Sequence, residues 1–128
     1  MRPASYRDAS RHLAEYLGLD ASAGQTAATE LVAEGHLPRS YGRAIARPTF
    51  DGLLVLMIAI VARAAGLSRG AAAEIATRGA RESFVIEGRD EPALRVSLSV
   101  GGGSVAVALP AGAYEEIDRL EQACRHDG

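Results

Sequence analysis

Four short polar side chains, Ser22, Gln25, Thr26 and Thr29, recur at spacings of three and four residues. On a helix they share one face. They offer hydrogen-bonding groups suited to base edges and phosphate oxygens, with no large apolar side chain to obstruct a groove. A second group, Arg39, Ser40, Tyr41, Arg43 and Arg47, lies in the segment His36 to Pro48, which holds two prolines, one glycine and no acid. Three guanidinium groups on an acid-free loop supply charge for a phosphate backbone, and Arg inserted in a narrow minor groove also reads its shape. Together the two groups predict a surface for double-stranded DNA. The plainer reading of the same residues is a solvated helix face followed by an arginine-bearing loop.

Other chemistry finds little footing. His12 and His36 have no Ser or Cys at any motif spacing, and His126 stands near the end of the chain, so no nucleophile, base and oxyanion donors assemble. No catalytic residue is expected, and the reading is not an enzyme. Gly101-Gly102-Gly103-Ser104 lacks the lysine and following helix of a phosphate cradle and reads as a hairpin turn. The carboxylates Glu115 and Glu116 are adjacent on a helix and diverge, while Glu87, Asp90 and Glu91 fall in a turn. The single cysteine, Cys124, excludes an intrachain disulfide, and no Cys/His cluster has zinc spacing. Neither a metal nor a cofactor is implied.

Composition bounds the rest. The chain has 128 residues, 48% of them hydrophobic, enough for one core. All fourteen basic residues are arginine, as a GC-rich genome produces. Residues 1–83 hold ten arginines against eight acids, and residues 84–128 hold four against eight. The two parts therefore carry opposite formal charge and suit different partners. The opening Met-Arg-Pro-Ala-Ser-Tyr runs into polar sequence, unlike a secretory signal. The longest apolar run, Leu53 to Ala62, is half the length a spanning helix requires. A cytoplasmic protein with no membrane segment is expected.

The elements that must position these groups follow from periodicity. Ala9, Leu13, Tyr16 and Leu17 mark an amphipathic helix over 5–17 that Gly18 stops. Asp20 then caps a second helix through Ala27, Ala28, Leu31 and Val32, ending at Gly35. Thr49 or Asp51 caps a helix from Phe50 to Ala65 that is apolar on nearly every face. Leu67 and Ser68 open another, to about Arg78. Beyond Arg81 the period becomes two: Phe84 to Ile86, Leu94 to Val100 and Val105 to Leu109 read as antiparallel strands. Gly88 to Pro92 and Gly101-Gly102-Gly103 are their turns. A last helix, Ala113 to Arg125, aligns Tyr114, Ile117, Leu120 and Cys124. The expected fold is one α+β domain: a helical winged helix-turn-helix over about 1–82, then a small antiparallel β-meander and a C-terminal helix over about 83–128. The apolar run and the last stripe both demand cover, which predicts a homodimer.

From Leu13 to Met57 the order is helix, glycine turn, helix, Glu34-Gly35-His36-Leu37-Pro38, a loop with Tyr41-Gly42-Arg43, then Thr49-Phe50-Asp51 opening a helix. This resembles the DNA-binding end of the MerR family, where a glycine, a leucine and often a proline precede a wing with a Gly-Tyr-Arg-type motif. The resemblance covers roughly 45 residues. The residues of the wing motif occur here in a different order, the second helix is longer, and the usual Tyr-Tyr pair and long dimerising coiled coil are missing. In size and texture the chain is also similar to small winged regulators of phages and gene transfer agents. What the resemblance implies is a sequence-specific DNA-binding transcription regulator of a phage or other mobile element. The alternative is a protein-interaction adaptor that contacts RNA polymerase, another regulator or another phage protein through its acidic half.

Overall fold

In the computed structural model, the backbone is described for residues 5–38, 47–81, 85–86, 93–100, 103–110 and 112–125, and side chains for 5–38, 47–77, 109–110 and 112–124. Helix α1 spans Tyr6–Tyr16. Ser5 opens it, its Oγ accepting from the Asp8 N–H at 3.3 Å, and satisfies a donor that the first turn leaves without an intrahelical partner. Gly18, at φ +76°, closes it: the Gly18 N–H reaches Glu15 O and the Leu19 N–H reaches Ala14 O at 2.8 Å. Three residues after Gly18, α2 begins and runs over Ala21–Ala33. Asp20 sits at its cap position but makes no side-chain cap bond; its carbonyl oxygen accepts from the Ala23 N–H at 3.0 Å instead.

The two helices meet through atoms of the main chain. A Cβ at Gly24 would overlap the Ser10 carbonyl oxygen, lie 2.8 Å from its carbon and 3.1 Å from Ala14 Cβ. Ser10 is fully buried there, its hydroxyl donating to Arg7 O at 2.6 Å. This close approach fixes which face of α2 turns inward: Gly24, Ala27, Ala28 and Leu31 are buried.

Helix α3, Phe50–Ala64, is the centre of the core, with every residue from Leu53 to Ile60 buried. Thr49 rather than Asp51 caps it, its Oγ1 accepting from the Gly52 N–H at 3.2 Å. Two side chains from elsewhere complete that end. The Tyr6 hydroxyl accepts from the Thr49 N–H at 3.1 Å, and Glu121 Oε2 accepts from the Phe50 N–H at 2.6 Å. The unpaired donors of the first turn are thereby shared among three elements. Helix α4, Arg69–Arg81, packs Ala72, Ala73, Ile75 and Ala76 into the same core. Helix α5, Ala113–Arg125, adds Ile117, Leu120 and Cys124, with Tyr114 half-buried beside Phe50 at a ring-centroid distance of 5.9 Å. The apolar run of α3 and the stripe Ile117, Leu120 and Cys124 of α5 are thus buried among the described residues.

Three strands, β1 (Val85–Ile86), β2 (Ala93–Val100) and β3 (Gly103–Pro110), pair antiparallel in that order, with Leu94 opposite Leu109 and Val100 opposite Gly103. Phe84, the turn at 88–92, Gly101 and Gly102 lie outside the described residues.

The fold class needs correction. The expected α+β fold, a winged helix-turn-helix followed by a β-meander, is replaced by a predominantly helical one, with five helices among the described residues. The physical reason is α3: an element apolar all round must be covered all round, and helices from before and after it in the chain do most of that covering. Leu109 of β3 joins that buried core, and among the strand residues side chains are described for Leu109 and Pro110 alone. The segment of the expected wing, 39–46, lies outside the described residues. No helix among those described is long and apolar enough to cross a membrane.

Candidate nucleic-acid interface

Ser22, Gln25, Thr26 and Thr29 occupy one outward face of α2, opposite the buried stripe that Gly24, Ala27, Ala28 and Leu31 press onto α1 and α3. The four line an open depression of about 330 Å³ together with Arg7 of α1 and Glu30. Ser22, Thr26 and Thr29 are exposed and Gln25 is half-buried. The spacing alone placed these four side chains on one face; the Gly24 contact is what turns that face to solvent.

Their hydrogen-bonding capacities differ. The Thr29 hydroxyl donates to the Gln25 main-chain oxygen at 2.8 Å, so its proton is committed to its own helix and only its lone pairs remain. Gln25 has no side-chain partner among the described residues. Its amide keeps both donors and its acceptor, the set needed for a bidentate contact with an adenine edge. Of the four, Gln25 is therefore the residue equipped to discriminate bases, while Thr29 accepts only.

The charge of the depression is set by two pairs of atoms. Glu30 would make it acidic, but its carboxylate is held from two sides by Arg63, with Nε to Oε1 at 3.1 Å and Nη2 to Oε2 at 3.3 Å. The same guanidinium donates to Leu67 O at 2.9 Å, tying α2, α3 and the entry to α4 together. With Glu30 neutralised by its partner, Arg7 is the uncompensated charge of the depression, and it is positive.

Arg7 was not anticipated from the sequence. It is one helical turn before Ser10, the residue whose main chain Gly24 touches, and that crossing point carries it over the α2 face. Spacing within a helix shows which residues share a face; it does not show where a neighbouring helix crosses it. Arg47 is exposed three residues before α3. Arg39, Ser40, Tyr41 and Arg43 lie outside the described residues, so the structure brings together four of the nine anticipated residues and places a fifth on the surface. Comparison with known proteins adds no relative to this picture: no family model, curated protein or solved structure matches the chain.

Proposed function

We propose that the chain is a cytoplasmic sequence-specific DNA-binding protein that regulates transcription, with the outward face of α2 lying against base edges. One observation carries the reading: α2 presents Ser22, Gln25, Thr26 and Thr29 together on an exposed face bordered by Arg7, while every large apolar residue of the helix that is buried faces the other way. A helix presented in this way meets the two requirements of major-groove entry, polar groups directed outward and no apolar obstruction. Catalysis is not part of the proposal.

The adaptor reading, in which the acidic half of the chain, residues 84–128, recruits a protein partner, draws less support from its helical part, α5. Three of the four α5 acids are used inside the chain: Glu116 pairs with His12 at 2.9 Å and Arg119 at 3.1 Å, Asp118 accepts from Gln122 at 3.0 Å, and Glu121 caps α3. The test of the DNA reading is fluorescence anisotropy on duplex fragments from around the protein's own promoter, at two salt concentrations. Sequence-selective binding that weakens with salt is expected. Substituting Gln25→Ala should then relax preference at one base pair by about 1 to 3 kcal/mol. Absence of binding to every fragment at the lower salt would remove the proposal.

A further inference from the structure

Arg7 is not alone on its helix face. Arg11 follows one turn later, so both guanidinium groups project from the same exposed side of α1. Among the described residues neither has an ionic or hydrogen-bonding partner in its side chain. The acid between them, Asp8, is engaged at the start of α1: its N–H donates to Ser5 Oγ, and its Oδ2 accepts from that hydroxyl, each at 3.3 Å. Two such like charges one turn apart repel each other in the free chain. An anionic partner along that side of α1 relieves the repulsion.

A third arginine, Arg47, is linked to α1 through the contact of Tyr6 with Thr49. The Tyr6 ring is 5% exposed, its hydroxyl accepts from the Thr49 N–H at 3.1 Å and lies 3.5 Å from Thr49 Oγ1. Gly52 makes room for it, since a Cβ there would overlap the tyrosine hydroxyl. Arg47 stands two residues before Thr49, a span of about 7 Å at most, and Arg7 directly follows Tyr6. One buried contact therefore carries Arg7 on one side and Arg47 on the other. Arg47 too is exposed and has no side-chain partner among the described residues.

We propose that Arg7, Arg11 and Arg47 form a cluster that binds the phosphates of duplex DNA beside the α2 face, with Tyr6 as the positioning residue that holds Arg47 in it. The proposal rests on the DNA-binding reading and adds to it the source of its electrostatic affinity. Because the three side chains touch phosphate and not bases, they set affinity and register and leave sequence preference to α2.

The experiment is a salt titration of the full chain on the duplex it selects and on a scrambled duplex of equal length, between about 50 and 200 mM salt. Replacing Arg7→Gln and Arg11→Gln together should lower the slope of log affinity against log salt by about 1.8 on both duplexes, about 0.9 for each phosphate no longer neutralised. Arg47→Gln should lower it by about 0.9. Tyr6→Phe keeps the ring and removes the hydroxyl; it should reduce the slope by a similar amount in the native chain and by nothing further in the Arg47→Gln chain. A double arginine variant that binds with the native slope overturns the cluster while leaving the α2 reading intact. If Tyr6→Phe weakens binding equally in both backgrounds, Tyr6 is only structural and its positioning role is overturned. A native chain that binds neither duplex overturns the DNA reading itself, and the cluster with it.

Discussion

The seam between α1 and α2 and the seam that holds α5 to the rest of the molecule are built from opposite materials. Helix α2 meets α1 through Gly24, Ser10 and Ala14, where helix main chain and small side chains touch and no titratable group takes part in the contact. Helix α5 meets α1 and α3 through a buried stripe bordered by Glu116 on His12, Glu121 on the Phe50 N–H, and the Tyr16 and Tyr114 rings. Tyr16 Oη would lie 3.3 Å from a Cβ added at Gly112, at the entry to α5. Shape sets the first seam, and charge contributes to the second. The difference teaches that the helix proposed to read bases is set against α1 by a contact indifferent to pH and salt, with charge entering only on its α3 side through Arg63 and Glu30, while the helix closing the core responds to both.

The sharpest way to break the comparison is Gly24→Ala. The added Cβ meets a backbone carbonyl, which no rotamer change relieves, so the two helices must separate. A loss of about 2 to 3 kcal/mol in urea unfolding is expected, unchanged between low and high salt. A loss below about 0.5 kcal/mol, the range of an ordinary surface substitution, would show that the α1–α2 seam yields easily.

Glu121→Gln tests the other seam. It keeps the shape and an acceptor oxygen but removes the charge that the Phe50 N–H and the α3 N-terminus face, at a cost of about 1 kcal/mol at low salt. Added salt should shrink the difference between variant and native chain, since partly exposed electrostatics are screened. A salt-independent cost would mean that packing, not charge, dominates there.

The smallest effect is alkaline. Burial raises the Tyr16 hydroxyl above its ordinary value near 10, with Glu116 and Glu115 adding to the rise and Arg119 opposing it; burial alone raises Tyr114. The unfolded chain loses these protons first as pH rises, so stability is unaffected well below pH 10 and declines above it. Thermal unfolding followed from pH 8 to 11 should show that decline, and a Tyr16→Phe, Tyr114→Phe variant should flatten it. An equal decline in the variant would assign it to groups outside the α5 seam.

Much of the helical architecture was legible because its signals are local. Gly18 and Gly35 stand at positive φ after their helices, and the face formed by Ser22, Gln25, Thr26 and Thr29 follows from helix geometry alone. What was not legible is relational. Nothing in the pattern of α3 tells which elements cover its apolar surface; in the structure α4 and α5 are among them. The same holds for the fold class, where alternation at 94–109 indicated strands without indicating that five helices dominate the described fold. Arg7 was missed for the related reason that its place depends on a helix crossing, and the caps from Tyr6 and Glu121 span 43 and 71 residues of sequence.

The burial of α3 on every side also orders events during synthesis. A ribosome releases residues 53–60 well before residues 113–125, so the flank that α5 will cover is bare on the nascent chain while translation continues through the strands. Over that interval the growing polypeptide displays its most apolar octapeptide with only the earlier helices to shelter it. A chain halted before α5 is accordingly the form most exposed to chaperones and to self-association, and completion of the last thirteen-residue helix is what ends that exposure.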